Sequence, residues 1–223
     1  MTAASRSGRL VALEGIDGSG KSTLQRRLAK RWRSRGLIVA TIREPSDVAL
    51  GRLAQELGPS DPWASAMVFT LDRLLARPHL EAALRKNDVV LTDRSFFSTL
   101  AYQGSSVPRS LATRMRRMQR GVTVVPGRVV YLALSPREAL RRVGGRGKAR
   151  APLERLRTLA RVDRRYRRLS RGRGWIVVDA SRPADEVLES VDRALSPWVV
   201  RRAGARRPGT SSTSTVSAGR GSV

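Results

Sequence analysis

The stretch Leu10 to Gln25, LVALEGIDGSGKSTLQ, holds the densest chemistry in the chain. Gly15, Gly20, Lys21 and Ser22 fill the fixed positions of the phosphate-loop pattern G-x-x-x-x-G-K-[ST], with Ile16, Asp17, Gly18 and Ser19 between them and Thr23 after. Gly15, Gly18 and Gly20 allow a tight loop whose backbone N–H groups turn onto phosphate oxygens at the positive end of a helix dipole. Lys21 can then reach the β- and γ-phosphates, and the Ser22 hydroxyl can ligand the magnesium ion that bridges them. Apolar Leu10 to Leu13 reads as a buried strand before the loop. Leu24, Leu28 and Trp32, spaced by four, read as a helix from Lys21 to about Ser34 after it. This strand–loop–helix context is what the motif requires. The stretch binds a nucleoside triphosphate.

Such a loop needs a sheet to carry it, and the rest of the chain supplies one. Further strands are predicted at Leu37–Ile42, Asp88–Thr92, Arg128–Leu134 and Trp175–Val178. Helices are predicted at Val48–Leu57, Pro62–Leu75 (continued or kinked through Pro78–Leu84), 95–120 with a break at Gly104–Pro108, and after Ser135-Pro136. A long basic helix is predicted at Pro152–Leu169, and a closing one at Ala184–Leu195. Strands alternating with helices mean an α/β fold with a five-stranded parallel sheet, right-handed crossovers and helices on both faces. The catalytic domain is expected over residues 1–200. A mobile arginine-rich lid is expected at about 141–151, and a disordered Arg/Gly/Ser/Thr-rich tail over 201–223.

Composition narrows the class. The 223 residues carry a formal net charge of +26, but 40 of the 44 basic residues are arginines and aromatics are only 4%. That is too few rings for a base-stacking platform, so specific nucleic-acid binding is not expected. There is no cysteine, which excludes disulfides and thiolate metal sites and suits a reducing cytoplasm. No apolar run approaches the roughly 18 residues of a membrane span. The single histidine, His79, is given no role.

Several further motifs narrow the reaction. Arg43-Glu44-Pro45 ends the second strand, and Phe69-Thr70-Leu71-Asp72-Arg73 lies on a helix with Phe69 and Arg73 on one face. Asp93-Arg94 ends the third strand and is followed by Ser98-Thr99-Leu100-Ala101-Tyr102-Gln103-Gly104. Together with EGIDGSGKST, and in this order, they resemble the thymidylate kinase family over about residues 9–196. The resemblance implies transfer of the ATP γ-phosphoryl group to dTMP, with Mg2+, in a homodimer. It also implies residue roles. Arg94 would hold the acceptor phosphate, Asp93 the magnesium or its water shell, and Asp17 the acceptor sugar's 3′-hydroxyl. Phe69 would stack on thymine and Arg73 would reach its carbonyl edge. Tyr102 would pack beneath the deoxyribose, with Thr99 and Gln103 on the base side and Glu44 and Pro45 in the acceptor loop. No basic residue occupies the variable loop positions, which resembles the class whose lid supplies the arginine; Arg142, Arg146 and Arg150 are the candidates.

Other readings stay open at this level. Phe69 can be ordinary core, Asp93 a helix-start cap, Ser98 a structural residue, and the lid arginines a solvated face. The chain also departs from the family pattern. Ser46-Asp47 stands where a glycine pair is usual, adding a carboxylate near the expected acceptor phosphate, and Ser95 stands where an aromatic or histidine is usual. Three alternatives follow: a kinase of another nucleotide or nucleoside, a divergent ATP-binding relative without transfer, and a nucleic-acid-associated ATPase using the basic stretch from Arg109 to Arg173.

Overall fold

A computed structural model describes residues 8–144 and 152–203. The strands are β1 (Arg9–Glu14), β2 (Val39–Arg43), β3 (Val89–Asp93), β4 (Arg128–Ala133) and β5 (Trp175–Asp179). The helices are α1 (Lys21–Ser34), α2 (Val48–Leu57), α3 (Pro62–Lys86), α4 (Phe96–Tyr102), α5 (Arg109–Val122), α6 (Pro136–Val143), α7 (Pro152–Leu169) and α8 (Ala184–Ala203). All strand pairs are parallel, in the order β2-β3-β1-β4-β5. The chain is the α/β protein its pattern of apolar runs predicts.

Burial explains the strand sequences. Every residue of β3 is buried, and β1 is buried beyond its first residue, so both read as near-continuous apolar runs rather than alternating ones. Their register puts Leu13 opposite Asp93, and Asp93 opposite Arg43. Three consecutive strand ends therefore lie abreast at the carboxyl edge of the sheet, where ligands bind in such folds.

The stripe Leu24, Leu28 and Trp32 of α1 packs into the same core as Val187, Leu188, Val191 and Leu195 of α8. A buried polar clamp ties these two helices. Asp192 accepts hydrogen bonds from Trp32 Nε1 at 2.8 Å, Ser196 Oγ at 2.7 Å and Arg35 Nη1 at 3.0 Å.

Several element ends shift by a residue or two from the sequence reading, and three differences have a local reason. Strand β2 starts at Val39, because Leu37 follows the turn that closes α1 and donates its N–H to Trp32 O. Helix α3 runs unbroken to Lys86; exposed Pro78 lacks an N–H but does not end the helix, and Leu80, Ala83 and Leu84 beyond it pack with Leu10 and Val90. Helix α8 continues past Leu195 through Pro197 to Ala203, with Val199 buried and Trp198 packed against the core, so residues 201–203 are helical rather than part of a tail. Most of the expected lid, including Arg146 and Arg150, and the expected tail from residue 204 lie outside the described residues.

Removing the Asp192 carboxylate strands a buried indole N–H between the two helices. Asp192→Ala is expected to cost about 3 kcal/mol, or roughly 6–12 °C in Tm for a chain of this size, read by thermal and urea denaturation. An unchanged Tm would show that the clamp is energetically idle.

Candidate active site

The phosphate loop joins the end of β1 to the start of α1. Its glycines adopt positive φ, and Gly18 shows why the position needs one. At φ 87°, a Cβ there would lie 2.7 Å from Ala139 O and 2.9 Å from Val143 Cγ2, both on α6. The loop is thus wedged against the helix that leads into the arginine-rich segment, and a basic side chain at this position has no room.

Lys21 is buried beneath the loop, where its ammonium donates to Gly15 O at 2.9 Å and Ile16 O at 3.0 Å. Burial lowers its pKa to about 8, with the nearby Arg94 cation adding to the effect against Asp17, Asp93 and Glu14. Ser22 and Thr23 are exposed on the first turn of α1, and Ser19 is buried within the loop. The Ser22 hydroxyl donates to Asp93 Oδ2 at 2.5 Å. The other Asp93 oxygen, Oδ1, is buried and accepts no hydrogen bond among the described residues. A hydroxyl and a half-satisfied carboxylate side by side are a hard-oxygen donor set of the kind that holds Mg2+ together with phosphate oxygens and waters. Among the described residues no group of three or more His, Cys, Asp or Glu could hold a metal ion unaided.

Arg94 follows β3 in the left-handed region, at φ 78°, which is uncommon for a residue with a Cβ. Its N–H donates to Leu13 O at 3.0 Å, and its carbonyl accepts from Thr92 Oγ1 at 2.6 Å. The turn aims its side chain back across the phosphate loop. The guanidinium is ion-paired with Asp17, donates to Ser98 Oγ at 3.1 Å, and lies 5.3 Å from the Tyr102 ring centroid. Burial pushes the Tyr102 hydroxyl up to about 12, against the pull of Arg94, so it stays neutral.

Beside the loop opens a cleft of about 770 Å³. Asp17, Glu44, Pro45, Phe69, Arg73, Arg94, Thr99, Tyr102 and Gln103, drawn from five separate segments, all line it. Phe69 is half-buried at its wall rather than enclosed in core. Arg73 is buried and held from four sides: Nε donates to Glu44 at 2.6 Å, Nη1 to Gln119 Oε1 at 3.2 Å, and Nη2 to Thr99 Oγ1 at 2.9 Å and Ser95 O at 3.2 Å. Burial raises the Glu44 pKa, and Arg73 works against it. Gln103 donates to Ser65 Oγ at 3.2 Å.

The carboxylate of Asp47 is not where the sequence placed it. Asp47 is exposed, caps α2 by accepting from Leu50 N at 2.9 Å, and does not line the cleft. The buried carboxylate of Asp72 holds this loop instead, accepting from Ser46 N at 2.9 Å, Ser46 Oγ at 2.8 Å and Asp47 N at 2.8 Å. Sequence reasoning also gave no role to Gln119, which donates to Thr70 Oγ1 at 2.6 Å while it orients Arg73. Nothing in its helical sequence context marks it; only packing does. Arg142, the one lid candidate described, donates to Glu138 Oε1 at 2.8 Å and to Ala180 O at 2.9 Å.

A lysine-bearing phosphate loop at the carboxyl edge of a parallel sheet, opening beside an arginine-lined second cleft, defines a nucleotide kinase of the phosphate-loop class. The comparisons agree. The family model described as thymidylate kinase matches residues 13–191. A thymidylate kinase of Synechococcus sp. is 35% identical over 204 residues, covering 84% of this chain and 95% of the relative. Probable thymidylate kinases of Archaeoglobus fulgidus (32% identical, 85% of this chain, 96% of the relative) and Pyrobaculum calidifontis (36%, 81% and 92%) are similar to it as well. The chain belongs to the thymidylate kinase family.

The lowered Lys21 pKa has a measurable sign. The triphosphate favours the ammonium form, so the free protein binds ATP best below about pH 8 and must recover a proton to bind above it. The Kd for ATP is expected to rise about tenfold between pH 7 and pH 9. Lys21→Met should bind weakly and flatten the profile. A flat wild-type profile through pH 9 would contradict the assignment.

Proposed function

We infer that this chain transfers the γ-phosphoryl group of ATP to dTMP, giving dTDP and ADP. The observation that carries the reading is the single cleft in which nine side chains of the acceptor motifs meet, opening onto the phosphate loop through Asp17 and Arg94.

The residue roles follow from charge and shape. Gly15 to Thr23 present loop N–H groups, and Lys21 its ammonium, to the triphosphate. Arg94 meets the acceptor phosphate dianion. The Asp17 carboxylate, now paired with that guanidinium, is released to accept from the acceptor sugar hydroxyl. Phe69 stacks on the thymine ring, while Arg73, anchored on Glu44 and Thr99, directs its remaining N–H toward the base edge. Tyr102 crowds the 2′ position and so favours a deoxyribose; Gln103 and Pro45 close the base side. Catalysis is positioning and electrostatic stabilisation, since phosphoryl transfer asks little covalent chemistry of the protein.

Ser22 and Asp93 fit magnesium, a hydroxyl beside a half-satisfied carboxylate, and would be the residues that hold it. When bound, the ion neutralises charge on the transferring group. Arg142, with Arg146 and Arg150, supplies cations from the lid side. Exposed apolar side chains on α2 and α3, among them Val48 (69% exposed) and Leu75 (62%), support a homodimer through these helices. No helix among the described residues is long and apolar enough to cross a membrane, and a cytoplasmic location accords with the cysteine-free chain and nucleotide substrates.

The test is ADP formation with Mg·ATP against dTMP, dUMP, dCMP, dGMP and thymidine, for wild type and Arg94→Ala. Wild type should prefer dTMP, and Arg94→Ala should lower kcat/KM for it roughly 10³-fold or more, the scale of arginines on transferring phosphoryl groups. Preference for another monophosphate would move the substrate assignment. ATP binding without turnover on any acceptor would end the kinase reading.

A further inference from the structure

Glu14 is the last residue of β1, directly before the phosphate loop, and it is 0% exposed. A carboxylate so far from water needs donors. It has three: Ser95 Oγ donates to Oε1 at 2.6 Å, and Ser98 Oγ at 2.6 Å and Tyr166 Oη at 2.8 Å both donate to Oε2. Burial, with the Glu14 charge adding to it, raises the Tyr166 pKa well above its usual value and keeps that hydroxyl a donor. Glu14 does not line the acceptor cleft, and no step of the transfer reaction uses it.

Its partners, however, lead to both ends of that cleft. Ser98 Oγ accepts from Arg94 Nη1 at 3.1 Å. The carbonyl of Ser95 accepts from Arg73 Nη2 at 3.2 Å. One serine thus separates Glu14 from the cation at the phosphate end, and one serine from the cation at the base end. Because Glu14 takes the Ser98 proton, the serine presents a lone pair to the Arg94 guanidinium. An amide N–H2 on that side would turn the proton outward, toward the cation.

We propose that Glu14 is the positioning residue of the acceptor site, holding Arg94 through Ser98 and Arg73 through Ser95, so that one buried carboxylate sets the geometry between acceptor phosphate and acceptor base. The proposal rests on the acceptor reading given above. It also gives Ser95 a function at a position where the family usually carries a ring.

The experiment compares wild type, Glu14→Gln, Ser98→Ala and the double variant by kinetics, by calorimetric titration with dTMP and with ATP, and by thermal melting. In E14Q, kcat/KM for dTMP should fall roughly 10–100-fold while the Kd for ATP stays within about twofold. S98A should reproduce much of that loss, and adding it to E14Q should add little, since the two act through one contact. Parallel weakening of ATP and dTMP binding would assign Glu14 to the phosphate loop and overturn the proposal, as would additive losses or unchanged kinetics. Should E14Q not fold, S98A and Ser95→Ala carry the test. S98A must weaken dTMP binding and S95A must reduce discrimination of dTMP from dCMP; no change in either refutes it. If wild type binds and turns over a different monophosphate, the substrate reading fails by itself. The same variants titrated with that monophosphate then decide the role of Glu14.

Discussion

The site depends on the pairing of β3 between β1 and β2. A slip of one residue in this pairing would carry Asp93 away from the Ser22 hydroxyl and break the bond from Arg94 N to Leu13 O. The register places Leu13, Asp93 and Arg43 in one row, and the residues that follow each of them in one functional layer. Glu14, Arg94 and Glu44 are therefore neighbours although they are far apart in the chain. Two backbone bonds continue the ladder past the strands: Arg94 N to Leu13 O and Glu44 N to Asp93 O, each 3.0 Å.

Charge is balanced locally in this layer. Lys21 and Arg94 face Asp17, Asp93 and Glu14, and the lysine's pKa near 8 records how much burial costs it despite three carboxylates. Cations gathered to meet a triphosphate and a monophosphate would repel one another without those carboxylates when the site is empty. The exposed member, Asp17, pairs with the cation that faces the cleft. The buried members are fixed by hydrogen bonds instead, Asp93 to Ser22 and Glu14 to three hydroxyls.

Departures from the family pattern are absorbed by short polar contacts. Ser46 gives Asp72 a hydroxyl donor as well as its own N–H, while Asp47 caps α2 at the surface, so the acceptor loop is anchored without glycines. Ser95 caps α4, with Phe97 N donating to its Oγ at 3.3 Å, and the same hydroxyl reaches Glu14. These substitutions change how the cleft is supported while Arg73, Arg94 and Phe69 still line it.

Local rules were enough for much of this molecule. The phosphate loop, the five strands, the α1 stripe and the Ser135-Pro136 helix start each follow from a short stretch of residues whose preference no distant contact opposes. Motif order along the chain also singled out nine residues that line one cleft. Tertiary structure alone decided the rest. Pro78 stays inside α3 and α8 runs through Pro197, because packing outweighs a missing hydrogen bond. Asp47 turned out to be a cap rather than a charge at the acceptor. Asp72, Gln119, Tyr166 and Glu14 acquire their roles only when helices α3, α5 and α7 are brought against the ends of β1 and β3. A buried polar side chain is defined by the partners that satisfy it, and those partners lie up to 161 positions away in the chain.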